Sequence, residues 1–222
     1  MVLRLMQMPL LILTLGALAL AVFEPRVQID HNLNRVANGI FKFEHLPSPS
    51  KDDAAAKAKL TLIDGTIDPN SADLGALTDG LLPTDQDDPS RNLFFNSGSM
   101  GGRFRMDFGE PLDVVQVLTY SWHPSVRGPQ LYKLYAANGT EPSFNIAPKR
   151  GVDPATCGWK FIITVSSIAK EGEDGGQYAV SVSDSTGSLG KYRYLLFDCY
   201  VTELFDSNGN TFYSEIDVVG KR

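Results

Sequence analysis

One short stretch of this chain holds side chains suited to gripping a polar ligand. It runs Tyr120, Ser121, Trp122, His123, Pro124, Ser125, Val126, Arg127. An indole offers a flat apolar face, a guanidinium a fork of donors, and an imidazole one donor and one acceptor. Sugar-binding loops use that combination. Phe95 and Arg103, with Phe94, are expected to lie close by in the fold. The candidate ligand-binding set is therefore Trp122, His123, Arg127, Phe95 and Arg103. The competing reading is packing, in which Trp122 plugs the bottom of a sandwich and Arg127 pairs with a carboxylate.

A second group is acidic. Asp85, Asp87 and Asp88 would repel one another without a cation. Calcium takes the carboxylates and free carbonyls that such a loop supplies, whereas turn-capping Asp side chains need no metal. No EF-hand spacing is present. Catalytic chemistry has little to build on. The three histidines, His31, His45 and His123, belong to no H-E-x-x-H pair, and no G-x-S-x-G elbow exists. Gly98-Ser99-Met100-Gly101-Gly102 precedes a strand pattern, not a helix, so it is no phosphate loop. Glu171, Glu173 and Asp174 sit among glycines. They read either as solvated turn residues or as a carboxylate pair for glycoside hydrolysis.

Elements that could position these groups are short and β-rich. With 43% hydrophobic residues in 222, the chain can bury one sandwich-sized core. A net charge of -6 leaves no basic footprint for nucleic acid. Period-2 alternation runs through Phe104, Met106 and Phe108, then Val115 and Val117, then Trp159 to Val165 and Tyr178 to Val182. Leu131 to Ala136 and Tyr192 to Val201 are nearly continuous apolar runs, and Phe212, Ile216 and Val218 close the chain. Turn signals such as Asn138-Gly139 and Gly175-Gly176 separate them, and no long stretch keeps a helical period. The expectation is an all-β antiparallel β-sandwich or jelly roll. Trp159 alternates with the strand and is expected in the core. Ile40, Phe41 and Phe43 suggest a first strand, and residues 22–37 a polar, weakly patterned segment. Residues 68–92 read as a long ordered loop.

Location follows from the first residues. A weakly positive start, an apolar run from Leu5 to Leu20 and small residues in A-x-A order make residues 1–21 a secretory signal peptide, the alternative being an uncleaved anchor. The mature protein has no second apolar run long enough to span a membrane. Secretion, the periplasm or the cell surface is the expected address. Cys157 and Cys199 would then form one disulfide, worth about 3–4 kcal/mol by chain entropy, or remain two buried thiols.

The order of several motifs resembles a known family. Leu77-Thr78-Asp79-Gly80 comes early, then Phe104-Arg105-Met106-Asp107-Phe108-Gly109, then Tyr132-Lys133-Leu134-Tyr135 leading into Asn138-Gly139. Lys191-Tyr192-Arg193-Tyr194-Leu195 and Tyr213-Ser214-Glu215-Ile216-Asp217-Val218 finish the series. Over roughly residues 38–219 this resembles the discoidin, or coagulation-factor C-type, domains of the galactose-binding-like β-sandwich superfamily. The usual Trp after the Asp-Gly loop is missing, and the insertion from Asn145 to Gly158 is longer than a simple turn. The resemblance implies a structural Ca²⁺ at Asp79, Thr84 or Asp85, and Glu215. It also implies a non-catalytic binding or adhesion module for carbohydrate or extracellular matrix. A structural envelope protein holding a protein partner is the alternative, and a small hydrolase or lyase on the same fold is a third.

Overall fold

A computed structural model describes residues 22–168, 175–202 and 210–221. The apolar leader and the acidic loop of Glu171, Glu173 and Asp174 lie outside the described residues. Among the described residues no helix is long and apolar enough to cross a membrane.

Eight strands form, and every pairing is antiparallel. They are β1 (Pro25–Leu33), β2 (Lys59–Asp64), β3 (Gly102–His123), β4 (Leu131–Ala137), β5 (Lys160–Ser166), β6 (Gly176–Asp184), β7 (Gly190–Cys199) and β8 (Tyr213–Lys221). The organising element is β3, 22 residues long. Sequence alternation shows it as two strands because Gly109, Glu110 and Pro111 interrupt the pattern. The structure runs the chain straight through, with a register shift between Asp107 and Leu112 against β7. Gly109 takes the positive φ of 81° in that irregularity, a conformation that costs glycine nothing. The first half of β3 pairs with β2 and β7, and the second half with β6 and β8. One strand thus serves both layers of a sandwich.

Between the layers lies the main core. Phe104, Met106, Val117, Tyr132, Leu134, Val180, Leu195, Phe197, Ile216 and Val218 meet there, all buried. Each layer is also covered on its outer side. Phe41, Phe43 and Leu46 cover Leu118, Tyr120 and Trp122 of β3. Phe144, Cys157 and Trp159 cover Tyr135 and Tyr194.

Two expectations from patterning are corrected. Residues 25–33 form β1, an edge strand on β6. Its partly exposed side chains, such as Ile29, gave no clean alternation of burial. Residues 40–43 form no strand; they are the covering segment, and Phe41 sits at φ 51°. Residues 68–92 are ordered as expected and hold two short 3₁₀ turns, Leu74–Leu77 and Pro89–Arg91.

The disulfide does not form; both thiols are free. Alternation along β7 sends Cys199 into the main core, while Cys157 packs with Trp159 on the outer side of the same layer. Burial pushes the Cys199 thiol up to about 12, so it is an inert core group.

Candidate functional site

The ligand set read from the sequence separates into three places. Phe95 is 1% exposed in the main core, where its ring fills the space that a Cβ on Gly102 would need. Arg103 is 4% exposed and pairs with Asp198 at 2.8 Å. Its other terminal nitrogen donates to the carbonyls of Pro148, Lys149 and Val152. It fastens the long insertion to the sandwich and is not available to a ligand. Both assignments are corrected: Phe95, bridged to Ile67 ahead of β3, turns into the main core, and Arg103 lies on a face of β3 that the insertion covers.

Trp122, His123 and Arg127 do share one end of the molecule. Arg127 lies over the rings of Phe94 and Phe212, 4.8 and 4.3 Å from their centroids, and those rings stack 4.0 Å apart. Its Nε donates to the carbonyl of Asn210 at 3.1 Å. His123 packs edge-on against Phe212 at 4.6 Å. Burial first, and the Arg127 charge second, lower its pKa to about 4, so near neutral pH the ring carries no charge. Asp87 lies 4.0 Å from its Nε2. Trp122 is not a displayed platform. It is 4% exposed, with its ring edge-on to Phe41 at 5.6 Å, because residues 118, 120 and 122 of β3 all face the covering segment.

One feature of Trp122 is not explained by packing. Its indole Nε1 is buried and has no hydrogen-bond partner. The same residue lines a shallow hollow of about 330 Å³ with Ala37, Asn38, Gly39, Thr84, Asp85 and Gln86. Thr84, Asp85 and Gln86 are exposed. Native structures rarely leave a buried N–H unsatisfied, and a ligand acceptor is one resolution. Asn38 and Gln86 were not singled out in the sequence. Only the covering path of residues 37–46, a tertiary fact, brings Asn38 to Trp122. The carbonyl of Asn38 is held there by the Gln177 side-chain amide.

The calcium set assembles in part. Glu215 is fully buried, its Oε2 accepts from the Gly80 N–H at 3.1 Å, and its Oε1 is unpartnered. Desolvation, with the nearby Asp217, Asp79 and Asp53 charges, pushes its carboxyl up to about 9. Asp79 accepts from the Leu81 N–H at 2.8 Å in the adjoining turn. Thr84 and Asp85 instead line the hollow beside Trp122. Among the described residues no three acidic, His or Cys side chains gather around one point. A cation at this place would be held by Glu215, Asp79 and backbone carbonyls of the 78–81 loop, a donor set calcium accepts.

No family model matches the sequence, and no curated protein matches it. Solved structures similar in backbone include "GH31 CBM32-2 bound to GalNAc", at 12% identity and a TM-score of 0.48, covering 74% of this chain and 97% of that one. A fucolectin from striped bass (Morone saxatilis) serum is similar at 15% identity and a TM-score of 0.48, covering 77% of this chain and 49% of that one. A fucose binding module of Streptococcus pneumoniae matches at 11% identity and a TM-score of 0.46, covering 77% and 99%. The likeness lies in the course of the backbone alone.

Proposed function

We propose that the protein is a non-catalytic glycan-binding module whose site is the hollow beside Trp122. The observation that carries this reading is the unpartnered Trp122 indole N–H in a hollow otherwise lined by exposed Asn38, Thr84, Asp85 and Gln86. These groups offer donors and acceptors together, as a polyhydroxylated ring requires. The lining holds one carboxylate, Asp85, and glycoside hydrolysis of the usual kind uses two.

Calcium at Glu215 and Asp79 supports the 78–81 loop in this reading, and the leader supports export to the cell surface, the periplasm or the medium. The test is binding of residues 22–222 to a glycan array, with calcium and then with chelator. Selective binding by a folded protein is expected. Array-wide silence from a protein shown to be folded would sink the glycan reading and favour a protein partner.

A further inference from the structure

A second opening lies on the outer side of β8, and it shares no lining residue with the hollow beside Trp122. It holds about 380 Å³ and runs between residues 47–54 and the β8 surface. Its polar lining includes Ser48, Ser50, Asp53 and Asp217. Asp217 is 2% exposed. Its Oδ2 accepts from the Ser50 N–H at 2.9 Å, while its Oδ1 is buried without a partner. Asp53 repeats the arrangement. Its Oδ1 accepts from the Ala55 and Val218 N–H groups at 2.6 and 2.8 Å, and its Oδ2 is buried without a partner. Neither carboxylate forms an ion pair among the described residues. Buried carboxylates are ordinarily paired or fully hydrogen-bonded.

Two observations say what would complete them. The carboxylates do not converge in threes as a metal cluster would, and the opening is far larger than an ion. Exposed Asp52 stands at its rim, and Pro47, Ala54, Leu118, Val218 and Val219 supply its apolar wall. A compact positive head with several donors, on a short hydrocarbon stem, satisfies both halves at once. We propose that this groove binds a primary alkylammonium group, its head between Asp53 and Asp217 and its stem along Pro47 and Val219. The chemistry is shared by a free aliphatic amine and by a lysine side chain on a partner.

Calorimetric titration of the purified protein with n-butylammonium chloride tests this, with n-butanol and calcium chloride as matched controls. Saturable binding of the ammonium, with none of the alcohol, is expected. Asp217→Asn keeps the shape and should weaken binding by roughly tenfold or more through loss of a charge-assisted hydrogen bond. Ser48→Trp, on an exposed wall residue, should block the groove without touching either acid. A blocked, acetylated tripeptide with a central lysine separates the sources. Binding of that peptide at least as tight as that of the free amine assigns a protein partner, and weaker binding assigns a small amine. No heat with butylammonium, equal binding of n-butanol, or binding that survives both substitutions overturns the proposal. A heat with calcium alone, lost in Asp217→Asn, overturns it in favour of a metal site.

Discussion

The two outer covers of the sandwich solve the same burial problem in opposite ways. Over the β7 side, the insertion is fastened by charge that is compensated. Arg103 is paired with Asp198, which also accepts from the Tyr200 hydroxyl at 2.6 Å. Arg105 donates to the carbonyl of Ile146 at 2.9 Å and lies over the Tyr194 ring. Over the β8 side, residues 37–54 cover Leu118, Tyr120 and Trp122 but, among the described residues, leave Asp53, Glu215 and Asp217 without cationic partners and the Trp122 N–H without an acceptor. Buried polarity that is compensated holds structure together. Single unpartnered atoms occur under both covers, Arg103 Nε, Arg105 Nε and Asp198 Oδ1 among them; what sets the β8 side apart is acids that have no cation beside them among the described residues.

Breaking the compensated side gives the largest effect expected here. Arg103→Ala removes the nearer cation from buried Asp198, leaving Arg150 at 3.7 Å and the Tyr200 hydroxyl as its partners, and frees three carbonyls of the insertion. The expected loss is about 3–5 kcal/mol in urea unfolding, with retained glycan binding in the folded fraction. On the open side the sign reverses. With chelator present, Glu215→Gln replaces a buried carboxyl that desolvation keeps protonated near neutral pH, and should be neutral or stabilising by about 1 kcal/mol. Calcium should raise Tm in the wild type and not in Glu215→Gln. A loss as large as that of Arg103→Ala would erase the distinction between the covers.

His123 sharpens the comparison through pH. Its folded pKa, about 4 against the ordinary 6.5, means that the unfolded chain binds a proton first. Its contribution to stability is complete above about pH 6.5 and is lost as pH falls towards 4. The difference in Tm between wild type and His123→Gln should therefore narrow or invert across that window and stay constant above it. Smallest of all is the thiol effect. With Cys157 and Cys199 free, dithiothreitol should leave Tm unchanged; a drop would mean that the two are bridged.

What the sequence made legible divides along the same line. β5 and β6 show themselves through alternation and β7 through a continuous apolar run that suits its burial on both faces, and Trp159 is buried as expected. β1 escaped because an edge strand with exposed Ile29 obeys no clean pattern. Residues 40–43 misled because an aromatic cluster reads as a strand whether it pairs or merely covers. The site was legible in types but not in placement. Trp122 and His123 share one end of the molecule, yet Phe95 packs into the main core ahead of β3 and Arg103 lies under the insertion, because alternation alone does not tell an inner from an outer cover. Asp217, between Ile216 and Val218, looks like a solvent-facing position until residues 47–54 close over it. That closure is a long-range contact with no local signature.

The most direct test of the glycan reading is a calorimetric titration comparing wild type with Trp122→Phe, using the strongest glycan from the array. Phenylalanine keeps an aromatic ring against Phe41 but removes two ring carbons together with the indole N–H, at an expected cost of roughly 1–3 kcal/mol. Loss of affinity by roughly tenfold at a temperature where the variant is still folded is the predicted result, because one buried hydrogen bond to the ligand is gone. Unchanged affinity in a folded Trp122→Phe protein would contradict the account: the hollow beside Trp122 would not be the glycan site.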